Sequence, residues 1–350
     1  MIAKKAGVSN ATVSLVLSGN PQAQIAAGTR ERVLTIAEEL GYMAPLLARK
    51  ASARTGNIGY ILQPPANGIG GDTAYLTNFR HGLFDELARE EFDLLVATFD
   101  PLEELPALIR QRKVDGVIVD AYVEDAWLAT IAAHLPVVLV SSAYRGRVRV
   151  DEVRSDGVMG SRQVVEHLIG LGHRQIALFG LGPNASPYFA PRIAGYEHAL
   201  QEAGLPRRPE YRALPEARTR TLEEVVVRAR EALHLWNTLH EPPTAVFALN
   251  DVYALGLCSA ARSLGIEVPA QLSVVGYDNS FAGQCHHPPL TTVDQRADAI
   301  AQAAVLLLKE RIDRPERPTM SLSVASDLLV RGTTAPPGGI GNQFSVASSQ

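Results

Sequence analysis

Apolar residues recur at two different periods along this chain, and the change of period divides it. Near the amino terminus the period is helical. Val13, Val16 and Leu17 fall at i, i+3 and i+4, the spacing of one buried helix face. Ile2 to Ala6 forms a shorter helical piece with Ala3 and Ala6 on one side, and Gly7 and Val8 make a turn. Ser9 can cap a second helix running to about Ser18, its hydroxyl accepting from a first-turn amide. The outward face of that helix carries Asn10, Ala11, Ser14, Leu15 and Ser18, small and polar rather than Glu- and Lys-rich. A third helix is expected from about Thr29 to Leu40, with Val33, Ile36, Ala37 and Leu40 as its stripe and Gly41 as its end. Val8, Val13, Leu17, Val33 and Leu40 are the expected mini-core. Two short helices joined by a Gly-containing turn read either as a helix-turn-helix fitted to a DNA major groove or as an ordinary helical hairpin at a domain end.

Pro45 to Ala51 can form one or two helical turns, and Ser52 to Asn57 reads as a linker. Beyond it the rhythm becomes short, continuous apolar runs alternating with helical stretches. Strands are expected at Ile58–Leu62, Phe92–Ala97, Val114–Val119, Pro136–Val140, Gln175–Gly180, Ala245–Leu249 and Leu272–Tyr277. Helices are expected at Tyr75–Glu90, Leu102–Arg112, Ala126–Ala133, Arg192–Ala203, Thr221–Leu239 and Asp251–Leu264, with Gly157–Gly170 opening the second series. Continuous apolar strands belong to parallel sheets covered on both faces. Two such lobes in tandem place a small-molecule cleft at the carboxyl ends of their strands.

Composition sharpens this picture in two respects. At 350 residues, 46% hydrophobic and 20% charged, the chain has ample core for two or three domains. Ala299–Leu308, the one long apolar run, is interrupted by Gln302 and is too short to span a bilayer, and no signal-like segment opens the chain, so the cytoplasm is the expected compartment. Charge is uneven: residues 1–54 hold seven basic against three acidic side chains, a net +4, leaving −8 for the remainder. A basic head on an acidic body suits phosphate neutralisation by the head alone.

Chemistry-bearing residues cluster where strands end and helices begin. Arg192 opens one helix, Asn250 and Asp251 follow a strand, and Asp278 follows another. An Arg fork beside an Asp acceptor suits neighbouring hydroxyls of a sugar. Helix capping by Asn250 or Asp251, a surface role for Arg192 and a structural turn at Asp278 are the alternatives. Gly180, Gly182 and Ala185 match a dinucleotide fingerprint, but Pro183 and the Ser-Pro-Tyr-Phe-Ala-Pro that follows forbid the helix it requires. Cys258 and Cys285 lack metal spacing, and the adjacent His286 and His287 point to opposite sides of an extended chain. No enzyme, cofactor or metal site is expected.

The string AKKAGVSNATVSLVLSGN at residues 3–20 resembles the headpiece of the lactose/galactose repressor family. EHLIGLGHRQIALFG (166–180), RIAGYEHALQEAGL (192–205), PTAVFALNDVYALG (243–256), LSVVGYDNS (272–280) and PPLTTVDQ (288–295) extend the resemblance to about residue 335. It implies a small all-α helix-turn-helix headpiece (1–44) and a hinge helix or linker (45–57). A periplasmic-binding-protein-like core of two doubly wound lobes follows (58–333). Lobe one would comprise about 58–155 plus 295–320, and lobe two 156–290 plus a C-terminal part, before a disordered tail (334–350).

The function the resemblance implies is a ligand-responsive repressor that binds a palindromic DNA operator as a homodimer, cytoplasmic and nucleoid-associated. The tail lacks the apolar heptads with which the lactose repressor tetramerises. Ser9, Asn10, Ala11, Thr12, Ser14 and Leu15 would meet DNA, with Asn10 on adenine and Ala11 on a thymine methyl. Leu15 stands where the family often has arginine. Ala51 falls at the register of a leucine that wedges into the minor groove, with Leu46 and Leu47 as substitutes. Arg192, Asn250 and Asp278 match effector contacts. Tyr75, Ser141 and Phe281, together with Phe79 and Tyr122, are candidates to line the cleft, with core packing the alternative for each aromatic, and the loop Gln63 to Thr73 departs from the family pattern. A carbohydrate is the expected effector, a nucleoside or purine the next choice. Family members carry several more residues before Ile-Ala, so the first helix is expected to lack its cap. The rival reading is a solute-binding module with impaired DNA binding.

Overall fold

The computed structural model describes residues 2–17, 25–39, 54–62, 73–98, 105–140, 144, 146–217 and 221–338. The amino-terminal unit comprises α1 (Ile2–Ala6), α2 (Asn10–Leu17) and α3 (Ala27–Glu39). Gly7 takes φ +66°, the left-handed turn that lets α2 fold back on α1. Ile2, Ala6, Val13, Val16, Val33 and Ala37 are buried together, while Val8, Leu17 and Ile36 pack at the margin. The core therefore uses Val16 rather than Leu17 as its second α2 contact. α3 begins two residues ahead of Thr29, because the Ala26 carbonyl accepts from the amides of both Thr29 and Arg30. Leu40, Gly41 and the segment 45–51 lie outside the described residues.

From residue 57 the order is β1 (Asn57–Leu62), α4 (Thr73–Arg89), β2 (Asp93–Thr98), α5 (Ala107–Arg110), β3 (Gly116–Asp120), α6 (Asp125–Ala132), β4 (Val137–Val140) and β5 (Asp151–Ser155). It continues with α7 (Gly157–Gly170), β6 (Ile176–Phe179), α8 (Ala190–Glu202), β7 (Arg212–Ala213), α9 (Leu222–Asn237), β8 (Ala245–Ala248), α10 (Asp251–Ser263), β9 (Ser273–Val275) and α11 (Phe281–Cys285). The chain closes with β10 (Thr292–Asp294), α12 (Ala297–Asp313), β11 (Ser321–Val324) and β12 (Asp327–Leu329).

Among the described residues the strands form a parallel sheet ordered β11-β5-β4-β3-β1-β2, a second parallel sheet ordered β7-β6-β8-β9, and an antiparallel pair β10-β12. Strand alternation divides the first core. Ile58, Tyr60 and Leu62 of β1 face α4 and α12, whereas Ile61 faces the side covered by α5 and α6. The second core is one continuous cluster centred on Phe179, Phe247, Tyr253 and Tyr277. The chain passes between the sheets at Ser155–Gly157, at Asp294–Ala297 and at Val324–Asp327.

Several expectations change. The helix expected at Leu102–Arg112 is only one turn, Ala107–Arg110: Pro106 is extended (ψ 145°) and Arg112 is left-handed (φ 54°). The strand expected at Leu272–Tyr277 leaves its ladder after Val275. There the Gly276 amide turns to the Thr291 carbonyl, and the Asp278 amide to that of Val293. α12 contains the apolar run 299–308 as an amphipathic helix, burying Ile300, Ala301, Ala304, Val305, Leu307 and Leu308. Thr334 and Ala335 are held, not free. His167 Nε2 lies 3.1 Å from Thr334 Oγ1, and the buried His173 ring joins Thr244 Oγ1, Ser273 Oγ and the Ala335 carbonyl. Burial holds the His173 ring below the usual histidine range, so it is neutral there.

α7 and α8 pack at very close range across Gly195. A Cβ there would lie 2.3 Å from the Val158 carbonyl oxygen and 2.8 Å from Ser161 Cβ. The obstacle is backbone and cannot rotate away. Gly195→Ala is expected to lower stability by about 1–3 kcal/mol, read as a shift of the denaturant midpoint. An unchanged midpoint would show that the helices separate freely.

Candidate functional site

The carboxyl ends of β8 and β9 and the start of α8 converge on one buried polar cluster. Asn250 is extended and caps α10, its Oδ1 accepting from the Tyr253 amide at 2.9 Å. The capping alternative therefore holds, but only for the oxygen. Its Nδ2 is buried and, among the described residues, has no hydrogen-bond partner. An orphaned buried donor of this kind is uncommon and costly. Asp251 has a different task. Its carboxylate accepts from the Ser280 amide at 2.6 Å and from Thr292 Oγ1 at 2.5 Å, which pins the turn after β9 against β10.

Asp278 sits in that turn with φ +112°, followed by Asn279 at +50°. Two successive left-handed residues bend the chain sharply and direct the Asp278 carboxylate at Arg192. Arg192 Nη2 donates to Asp278 Oδ1 at 3.1 Å and Nη1 to the Leu249 carbonyl at 2.5 Å. Its guanidinium carbon lies 3.9 Å from the Tyr277 ring centroid and 5.3 Å from that of Phe189. The plane is thus fixed by two aromatic faces, a carboxylate and a carbonyl, with Arg192 and Asp278 each only 6% exposed. Burial pushes the Tyr277 phenol above its ordinary value, while the Arg192 charge works against that shift. Gln295 Nε2 also donates to Asp278 Oδ1, at 2.7 Å. Such a set offers fixed donors and acceptors to a polyhydroxylated or amide-bearing guest.

In the first sheet, Asp120 ends β3 opposite Leu62, the last residue of β1. Tyr60 donates its hydroxyl to Asp120 Oδ2 at 3.0 Å. Burial and the Asp120 carboxylate push the Tyr60 phenol well above its ordinary range, and Arg80 opposes them. Sequence reasoning missed Asp120, although the signal was the one used for Asp278: a charged residue closing the apolar run VIV of a parallel strand. Phe189, Tyr277 and Gln295 were also missed.

The remaining candidates divide. Tyr75 is buried and stacks on the buried Phe79, centroids 5.8 Å apart at 17°, so both belong to the core beneath α4. Phe281 opens α11 and is 79% exposed, and Tyr122 is exposed as well. Ser141, Leu47 and Ala51 lie outside the described residues. On α2, Asn10, Ala11, Ser14 and Leu15 are exposed, and Thr12 is half-buried. Ser9 Oγ accepts from the Thr12 amide at 3.0 Å, the capping bond that starts the helix.

A helix-turn-helix unit carried by a two-lobed parallel-sheet body, with a preorganised polar cluster at the strand ends, defines a ligand-responsive DNA-binding regulator. Residues 2–44 match the family model of bacterial regulatory proteins of the lacI family, and residues 165–334 match that of the periplasmic binding protein-like domain. The chain is 33% identical to the HTH-type transcriptional regulator reg1 of Streptomyces lividans over 95% of each chain. It is 31% identical to DegA of Bacillus subtilis, covering 96% of this chain and 97% of that one. Among solved structures, a cellobiose complex of the transcriptional regulator CelR superposes with a TM-score of 0.70 at 27% identity, covering 95% of this chain and 98% of that one. A lacI-family regulator from Enterococcus faecium with bound ribose gives 0.67 at 25% identity, covering 80% and 99%.

The chain belongs to the lacI family of bacterial transcriptional regulators. It is a DNA-binding regulator with a ligand-binding core, and its relatives are regulators rather than enzymes. The solute-binding alternative is not favoured, because the headpiece matches a regulatory family across residues 2–44. Among the described residues no helix is long and apolar enough to cross a membrane.

Proposed function

We propose that this regulator is a cytoplasmic repressor that binds a near-palindromic operator as a homodimer and is controlled by a small neutral carbohydrate held between its lobes. The observation that carries the ligand reading is the buried Arg192–Asp278 pair with the unpartnered Asn250 Nδ2 among the same strand ends. A sugar ring presents adjacent hydroxyls that both donate and accept, which this donor and acceptor set complements. The cationic fork is already paired with a carboxylate, so it favours a neutral guest over an anionic one. The cellobiose and ribose complexes of structural neighbours support the carbohydrate class. A nucleoside or purine, whose ring amides and nitrogens an Asn donor and an Asp acceptor could also hold, is the second choice. Asp120, on its Tyr60 support, is the proposed contact from the first lobe.

On this reading the chain divides into a headpiece to about residue 44, a linking segment containing Leu47 and Ala51 that meets the minor groove, and the two-lobed core. Asn10 and Ala11 read base edges from the first turn of α2, Thr12 and Ser14 hold the groove wall, and Leu15 adds an apolar contact. Selection of bound duplexes from a random pool tests this directly. A palindromic motif is expected, and Asn10→Ala should relax discrimination at one base pair by about 1–3 kcal/mol. Binding without any sequence preference would overturn the repressor reading. Addition of cellobiose, ribose and hypoxanthine to the selected complex then sorts the ligand classes.

A further inference from the structure

The Arg192–Asp278 pair is joined by a short hydrogen-bond chain to two of the three places where the backbone passes between the sheets. Gln295 lies on the second crossing, between β10 and α12, and is 7% exposed. Its amide nitrogen donates to Asp278 Oδ1 at 2.7 Å, and its amide oxygen accepts from Ser155 Oγ at 2.7 Å. Ser155 is the last residue of β5, at the first crossing. The residue after Gln295, Arg296, is left-handed at φ +55°, so the backbone turns sharply where this side chain is anchored. The first and third crossings are tied separately, the Asp156 amide donating to the Val324 carbonyl at 2.9 Å. One amide side chain therefore reads the carboxylate of the proposed ligand site with one end and a crossing strand with the other.

We infer that Gln295 is a positioning residue that couples the Arg192–Asp278 pair to the first crossing at Ser155 and thereby sets the angle between the lobes. The inference rests on the reading of that pair as the ligand site. The physical reason is the fixed polarity of the amide. Both of its ends are engaged at short range in a buried place, so any movement of the Asp278 carboxylate either draws Gln295 along or breaks a buried hydrogen bond. Gln295 moves the first crossing through Ser155. A guest that reorients Asp278 acquires different affinities for two lobe angles by this route, which is the requirement for coupling.

The test uses the full chain with Thr130→Cys in the first lobe and Ala203→Cys in the second, both exposed positions, in a Cys285→Ser background. Spin labels at the two sites report the inter-lobe distance without any ligand. Ser155→Ala and Gln295→Ala are expected to give the same altered distance distribution, and the double variant no further change. Gln295→Glu keeps the length and the acceptor for Ser155 but removes the donor to Asp278. It should also alter the distribution, whereas a residue that only fills space would leave it as in the parent. Asp278→Ala should match the series, and if it does not fold, the other three variants carry the test. Unaltered distances in Ser155→Ala and Gln295→Ala, or additive changes in the double variant, would overturn the inference.

A second arm separates this inference from the ligand reading. Cellobiose and ribose are titrated into the parent and Ser155→Ala, alone and on the selected operator. Ser155→Ala should bind cellobiose within about twofold of the parent while the sugar's effect on operator affinity falls about fivefold. If neither cellobiose nor ribose binds the parent, the carbohydrate reading fails while the distance series still decides the role of Gln295.

Discussion

Asp151→Ala is expected to lower the stability of the first lobe by about 3–5 kcal/mol, the effect of removing one partner from a buried ion cluster. Asp151 is fully buried at the start of β5. Its carboxylate accepts from Arg311 Nε at 2.9 Å and Nη2 at 3.2 Å, from Arg317 Nη1 and Nη2 at 2.9 Å each, and from the Met320 amide at 2.8 Å. Alanine would leave two largely buried guanidinium groups without their carboxylate. It would also free the loop that carries the chain from α12 into the edge strand β11. Thermal and guanidinium melts read the effect, and a midpoint unchanged from the parent would show that the cluster is dispensable.

The same carboxylate gives a pH dependence with a defined sign. Burial alone would push the Asp151 carboxyl up, but the hydrogen bonds from Arg311, Arg317 and Met320 outweigh burial and hold it below its ordinary value of 3.8. A depressed value in the folded state means that the folded chain resists protonation there. The stabilisation is fully present above the ordinary value and is lost as the pH falls through the folded one. The stability difference between the parent and Asp151→Asn should therefore be constant near neutrality and shrink in acid below about pH 4. A difference that grew on acidification would contradict the assignment.

Arg192→Met is expected to abolish the response to ligand while leaving operator recognition in place. Methionine nearly preserves the apolar stacking on Tyr277 and Phe189 but removes both donors and the charge. Asp278 then keeps its bond from Gln295 but loses the guanidinium that donates to it. Truncating one partner of a buried, hydrogen-bonded charge pair weakens binding by about 2–5 kcal/mol, so ligand affinity should fall at least about thirtyfold. Arg192→Lys should recover only part of it, since an ammonium cannot make both bonds of the fork and stack as a plane. Calorimetric titration of sugar, together with operator binding in its presence and absence, makes the measurement. A normal response in Arg192→Met would remove the pair from the ligand site.

Much of the architecture was legible because it rests on local regularities. The helical spacing of Val13 and Val16 and the capping position of Ser9 are properties of neighbouring residues, and they reappear in α2 nearly as read. The continuous apolar strands gave the parallel sheets for a similar reason: a strand covered on both faces has no polar side to show. The strands that went unread, Asp151–Ser155, Arg212–Ala213, Thr292–Asp294, Ser321–Val324 and Asp327–Leu329, have two to five residues each and include polar ones. They lack the continuous apolar run by which the other strands are recognised, so no local pattern announces them. Tyr75, for which the sequence left cleft lining and core packing both open, stacks on the buried Phe79, a contact that helix phase sets and residue type alone does not.

By itself, the sequence determined the two-part organisation, the residues on the outward face of α2, and Arg192, Asn250 and Asp278 as the polar residues at strand and helix ends. Each of these is written in spacing or in a polar residue placed where an apolar run ends or a helix begins. Only the tertiary structure decided which of those residues meet. Arg192 and Asp278 are 86 positions apart and become one ion pair because two βα units bring their strand ends together. Asn250 divides its two polar atoms between a helix cap and an orphaned donor only once α10 is in place. Gln295 gained its role because the chain crosses between sheets at that point, beside Ser155, 140 residues earlier. A side chain's type fixes what it can donate or accept; the fold, by setting its neighbours and excluding water, fixes what those bonds are worth.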